Sequence, residues 1–303
     1  MKFIKKLIII ATTPIRFLFS NLNIKLIKNL YGNEKTLKHD IKSDLRTRLL
    51  NPLHQVFVGF IPQPFKIFNN EITFYSQGSL MSTQAYYVGE IEHHLINYFT
   101  TKHIKNDMVF LDIGGHHGAF SVIAAHNLKK LNYNGRIFCF EPSSENREFI
   151  DKNVNENDLS EYVKIIPKAV SAVPGLANLS MSFDNSCNWL ESEESPSGDY
   201  NVTAVETISI DSFCENMERV DVIKIDIQGG ELPALRGAIN TMAKFKPVMF
   251  VEIMDYSEDA NTTKDFLNKN GYNLFYLTKE SKLVLEGDKN IFISWDVVAI
   301  PIQ

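Results

Sequence analysis

At 303 residues, 44% of them hydrophobic, the chain is long enough to bury a full core and to carry an extension besides. A net charge of −5 argues against a general nucleic-acid binder. The three cysteines (Cys139, Cys187, Cys214) lack paired or metal-ligand spacing, which excludes a disulfide framework and fits a reducing cytoplasm.

The charge is unevenly spread. Residues 1–30 hold Lys2, Lys5, Lys6, Arg16, Lys25 and Lys28 and no acid. Lys2, Lys5 and Lys6 precede Leu7–Ala11 much as in a signal peptide. Pro14 and Arg16 then interrupt the run before the roughly 20 residues that a spanning helix needs, and no small-residue cleavage site follows. The arm reads as a packing or unordered extension, with peripheral contact on an anionic membrane face as the alternative. Residues 31–85 are broken by Pro52, Pro62 and Pro64 and hold two short strand-like runs, Val56–Val58 and Ile72–Tyr75, so they read as an N-terminal cap. Residues 86–303 form the main domain.

Within that domain Gly89–Thr101 has helical periodicity and leads into the strand Val109–Ile113. There follow a helix near Ala119–Lys130, a strand Arg136–Phe140, a helix from about Ser144 to Asn157 and a strand Val163–Pro167. Two extended runs, Leu176–Phe183 and Val202–Ile208, flank a polar loop at 191–200. Strand Asp221–Ile225, one helix near Leu232–Met242, strand Val248–Ile253, a helix near Thr262–Asn270 and two final strands, Tyr272–Thr278 and Trp295–Ile300, complete the order. Such alternation predicts a mostly parallel sheet with helices on both faces. The last two strands have no helix between them and are expected to run antiparallel, the feature that separates this sheet from a nicotinamide-binding one.

Three motifs carry chemistry. Val109–Ile113 ends in Asp112 and turns on Gly114 and Gly118, the pattern Asp-x-Gly-x-x-x-Gly of S-adenosylmethionine enzymes. The dinucleotide pattern would need glycines at His116 and Ala119, which disfavours a nicotinamide-dependent oxidoreductase. Glu141 ends the next strand, 29 residues beyond Asp112, where a carboxylate can accept both hydroxyls of a ribose. Asp226, Glu231 and Glu252 stand at or near the carboxyl ends of later strands, the edge where ligands bind in such sheets. Glu231 also reads as a helix-cap acid paired with Lys224. No His accompanies Asp226 and Glu252 and their spacing is generic, so no metal site is predicted. His116, within the glycine turn, is of the residue type that commonly serves as a general base within reach of a substrate hydroxyl.

These motifs together resemble those of FkbM-type methyltransferases. The residues concerned are Leu111-Asp112-Ile113-Gly114-Gly115, Phe140-Glu141-Pro142, Lys168-Ala169-Val170-Ser171 and the run Ile223 to Glu231. Leu235-Arg236-Gly237-Ala238 and Pro247 through Glu252 continue the resemblance, which spans about Glu90 to Glu252. It implies a Rossmann-like fold with a mostly parallel seven-stranded sheet and an antiparallel final strand, preceded by the N-terminal extension. It further implies S-adenosylmethionine as cofactor and a hydroxyl acceptor on a small natural product or a bacterial glycan. By the resemblance Asp112, Gly114, Gly118, Glu141 and Ala169 contact the cofactor, while Asp226 and Glu231 border the reactive centre. The chain departs from the family in having Gly115-His116 where Ala-Asn is common, and Gln228 where glutamate is common. Glutamine takes no proton, so acid–base work falls to Asp226 first and His116 second. A non-catalytic module that keeps the fold but has lost turnover is the rival reading from another class.

Overall fold

The computed structural model describes residues 64–76, 93–181, 188–190, 201–253, 259–278, 280–286, 288 and 296–302. The basic arm, the run at 56–58, the boundary at 85/86, Cys187 and most of the loop between 184 and 200 lie outside the described residues.

In chain order the elements are β1 (Phe65–Ile67), β2 (Ile72–Phe74), α1 (His93–Lys102), β3 (Met108–Ile113), α2 (Ala119–Leu131), β4 (Gly135–Phe140), α3 (Ser144–Glu156) and β5 (Val163–Ile166). Next come β6 (Ala169–Val170), β7 (Gly175–Met181), β8 (Asn188–Leu190), β9 (Asn201–Ile208), α4 (Ile210–Cys214), β10 (Val222–Ile225), α5 (Glu231–Arg236) and α6 (Ile239–Phe245). The chain closes with β11 (Val248–Glu252), α7 (Ala260–Lys269), β12 (Tyr272–Leu277), β13 (Leu283–Val284) and β14 (Asp296–Pro301).

Strand β3 is buried along all six residues, as a strand covered on both faces must be. It is an interior strand of an eight-stranded sheet of order β13-β12-β14-β11-β10-β3-β4-β5. The five strands from β5 to β11 pair in parallel, whereas β14 is wedged antiparallel between β11 and β12. The expected reversed final strand is therefore present, and the two-residue β13 adds an eighth strand at the edge. An all-parallel nicotinamide-binding sheet has no such insertion.

Alternation along the strands sends one set of side chains to each face. Phe110, Val222 and Phe250 pack with α1, α2 and α3, whereas Leu111, Ile223, Ile225 and Val251 pack with α5, α6 and α7. The two extended runs of the middle region do not enter this sheet. They form β7 and β9 of a separate four-stranded sheet, order β6-β9-β7-β8. The single helix expected over Leu232–Met242 is two, α5 and α6. Gly237 ends the first, where a side chain would press on the carbonyl of Ser171. The Asp211 carboxylate starts the second by accepting from the main-chain N–H groups of Asn240 and Thr241.

The β1–β2 hairpin, from the region read as a cap, packs into the core of the main sheet. Phe65, Ile67, Ile72 and Phe74 are buried against the α1–α2–α3 face. Asn153 of α3 clamps it by accepting from Tyr75 N (2.6 Å) and donating to Tyr75 O (2.9 Å), and Asn157 does the same for Thr73.

Candidate active site

The site is built where β3, β4 and β10 end together. Ile113 leaves β3 into Gly114, whose φ of +86° is left-handed. A Cβ at Gly114 would overlap the carbonyl oxygen of Asp226, and one at Gly115 would overlap the buried thiol of Cys139. The turn is tied to β4 by Gly114 N and Gly115 N, which both donate to Phe140 O, and Asp226 N donates to Ile113 O (3.0 Å). Three strand ends are thus brought into contact through two residues without side chains.

Asp112 lies beneath the turn, 2% exposed, and its Oδ2 accepts from Ser121 N (3.1 Å) and Ser121 Oγ (2.6 Å) in the first turn of α2. Burial pushes its pKa up, against the pull of the Lys224 ammonium. Gly118 caps α2 at φ +83°, its Cα facing Ile150 of α3.

Glu141, first residue beyond β4, is buried, with each oxygen engaged by main chain. Oε1 accepts from Ser143 N (2.9 Å) and Oε2 from His116 N (2.8 Å). Burial raises its pKa to about 7, with these N–H groups resisting the shift. Ser143 caps α3 through its hydroxyl, and Glu145 sits in the first turn where the helix dipole favours it. His116 itself adopts φ +49°, and its ring stacks on His117 at 3.7 Å. His117 hydrogen-bonds Ser76 beyond β2 through Nδ1 (2.6 Å) and packs on Phe149. His116 contributes a backbone donor to the site, which its residue type does not announce.

The second half of the site lies at the ends of β10 and β11. Asp226 Oδ2 accepts from Lys224 Nζ (2.7 Å) and Oδ1 from Gln228 Nε2 (3.1 Å). The same Gln228 amide donates to Glu252 Oε2 (3.0 Å), bridging the two acids. Burial favours the neutral form of Asp226, but the Lys224 ammonium, then a hydrogen bond with Glu252 and the Gln228 amide, outweigh it and hold the carboxyl below its usual range. Glu252 is driven the other way, well above its usual value, by burial and then by the charge on Asp226. The two shifts run in opposite directions, Asp226 toward the ionised form and Glu252 toward the neutral one, as two neighbouring buried acids beside a single ammonium require.

Glu231 takes part differently. Its carboxylate accepts from Ile227 N and Gly229 N, fixing a loop in which Gln228 and Gly229 are both left-handed (φ +56° and +100°). The ion-pair partner of Lys224 is thus Asp226, two residues along the strand, and Glu231 is held by backbone. Ala169 sits apart in β6, paired with Thr207 of the smaller sheet. Beside it a pocket of about 320 Å³ opens between Pro142, Ser143, Arg147, Pro167, Thr203 and Glu206. Among the described residues no group of three or more His, Cys, Asp or Glu side chains could hold a metal ion. Nor is any described helix long and apolar enough to cross a membrane.

The Methyltransferase FkbM domain model matches residues 112–274, from the glycine turn to β12. Among solved structures the chain is similar to a methyltransferase FkbM from Methylobacillus flagellatus KT, with 14% identity, 85% of this chain covered and a TM-score of 0.42. The match takes in only 60% of that protein's length. A precorrin-6y methyltransferase from Geobacter metallireducens GS-15 is 16% identical, with 76% of this chain and 94% of that one covered and a TM-score of 0.42. A SAM-dependent O-methyltransferase from Thermotoga maritima is 11% identical, with 77% of each chain covered and a TM-score of 0.42. No curated protein matches the chain.

Proposed function

The chain belongs to the FkbM methyltransferase family, and on that premise we propose that it is a cytoplasmic S-adenosylmethionine-dependent O-methyltransferase whose acceptor is a hydroxyl of a glycan sugar or of a small natural product. One observation carries the reading: the glycine turn touches both the end of β4, where Glu141 stands, and the backbone of Asp226 at the end of β10. A seat for a nucleoside and an acid for a hydroxyl are thereby neighbours.

The residues present fit the cofactor. Glu141 accepts from two main-chain N–H groups and from the Asn146 side chain, and a carboxylate offers about four acceptor positions, so capacity for a ribose hydroxyl remains. The bare backbone at Gly114 and Gly115 lets the turn close against Asp226 and Cys139, which brings the strand end that carries Glu141 and the one that carries Asp226 together at one edge. When bound, S-adenosylmethionine supplies an electrophilic methyl group. The protein's share is then to orient the acceptor hydroxyl, exclude water and receive one proton. Orientation is worth about 7–11 kcal/mol in well-aligned reactions. A general base adds roughly 3–5 kcal/mol, so positioning is the larger task. Asp226 is the residue for both, since its carboxylate is ionised and keeps 18% exposure beside the buried lysine. Glu231 supports it by fixing the loop that carries Gln228.

Calorimetric titration with S-adenosylhomocysteine tests the cofactor. Wild-type protein is expected to bind, and Glu141→Ala to bind at least about tenfold more weakly, the cost of one lost charged hydrogen bond. Absence of binding by folded wild-type protein would sink the proposal. Transfer of labelled methyl groups to glycan and to small-molecule fractions, lost in Asp226→Asn, then separates the acceptor classes.

A further inference from the structure

Strand β10 is apolar on both sides of one charged residue, Lys224, whose side chain is only 5% exposed. A buried ammonium is costly unless paired, so what surrounds it reveals what it is for. Parallel register sets Lys224 beside Asp112 of β3 and Phe250 of β11. Its Nζ lies 4.7 Å above the Phe120 ring of α2 and 2.7 Å from Asp226 Oδ2. Residues two apart in a strand share a face, so Lys224 and Asp226 point to the same side. Among the described residues the charged and titratable groups around them are Asp112 from β3, Glu252 from β11, Glu231 from α5 and, opposite Glu252, Asp296 from β14. Among these described groups Lys224 is the basic one and the others are acids.

We propose that Lys224 is a positioning residue of the transfer site, holding Asp226 ionised through Oδ2 and leaving Oδ1, steadied by Gln228, to take the acceptor's proton. The inference rests on the reading of Asp226 as the residue that handles the hydroxyl. Removing the ammonium would take away the counter-charge that faces Asp112, Asp226 and Glu252, and Asp226 would compete with Glu252 for the proton between them. The cation–π contact with Phe120 and the ion pair fix the ammonium from two directions, so that the carboxylate has one orientation.

The test is a ¹³C-carboxyl NMR titration of full-length protein labelled at aspartate. In wild type Asp226 is expected to titrate below the ordinary aspartate range. In Lys224→Met it should bind its proton at least tenfold more tightly, and Lys224→Arg should restore most of the low value. An unchanged Asp226 midpoint in folded Lys224→Met overturns the proposal. Glu252→Gln supplies a second arm should the methionine variant not fold. With Lys224 present, the Asp226 midpoint stays low, and a rise into the ordinary range would show that Glu252 governs it and overturn the proposal. None of these titrations needs a methyl donor. Failure to bind S-adenosylhomocysteine would therefore count against the functional reading and not against the role of Lys224.

Discussion

Glu141 and Asp226 stand at the ends of β4 and β10 on one edge of the sheet, yet they are held in opposite ways. Both oxygens of Glu141 take main-chain N–H groups, from Ser143 and His116. Both oxygens of Asp226 take side chains, from Lys224 and Gln228. The backbone donors and the Asn146 side chain carry no full charge, and the Arg147 charge pulls less than any of them, so burial wins at Glu141 and its pKa rises to about 7. A lysine brings a full charge, so at Asp226 burial loses and the carboxyl stays ionised. The first half of the site is poised to change charge near neutrality. The second holds Asp226 toward the ionised form beside a Glu252 pushed toward the neutral one.

The most damaging way to break this contrast is to separate the halves. Gly114→Ala forces a side chain into a left-handed position and against the Asp226 carbonyl. The backbone strain alone is worth about 1–3 kcal/mol, and overpacking adds roughly as much. Thermal unfolding should fall by several degrees and S-adenosylhomocysteine binding should be lost. Normal binding by a folded Gly114→Ala protein would mean that the two strand ends need not touch.

A smaller effect sharpens the contrast through pH. A ribose diol donates to the ionised form of Glu141, so affinity should follow the fraction ionised. With a pKa of about 7 in the free protein, affinity for S-adenosylhomocysteine should rise about tenfold between pH 6 and 8, with proton release on binding. The stability of the free protein should move the opposite way. A carboxyl whose folded pKa is raised stabilises fully below its unfolded value near 4.5, and that contribution is lost as pH rises through about 7. Calorimetry in two buffers of different ionisation enthalpy measures the first, and chemical denaturation from pH 5 to 8 measures the second. Affinity flat over this range would show Glu141 already ionised in the free protein.

Much of the backbone-held half was legible in the sequence, because its causes are local. A buried run, an acid, a glycine turn and a helix start all fall within Val109–Ala125, and Glu141 follows one helix later. The side-chain-held half depends on which strands are neighbours. Nothing in the spacing of Asp226 and Glu252 says that β10 and β11 are adjacent and in parallel register. Lys224 is the instructive case. Pairing with Glu231 looked natural along the chain, yet strand alternation already put Asp226, two residues on, on the same face. The break at Gly237 was hidden because the acceptor that starts α6, Asp211, lies in another helix. The clamp of Asn153 on Tyr75 spans 78 residues, beyond the reach of any local pattern.

The mildest variant asks whether Glu231 belongs to the charged half or only frames it. Its oxygens accept from Ile227 N and Gly229 N, and its pKa is raised by burial ahead of any charge nearby. Replacing it by glutamine keeps the shape and one acceptor oxygen while turning an amide N–H₂ toward a main-chain donor. The expected cost is one poorly satisfied N–H, about 1–2 kcal/mol of stability. Binding of S-adenosylhomocysteine should hold within about threefold, or roughly 0.7 kcal/mol, since Glu231 holds the loop and not the turn. If Glu231→Gln left stability untouched but abolished methyl transfer, the residue would have to reach the acceptor directly. Its main-chain partners would then be a resting arrangement that the reaction exchanges for another.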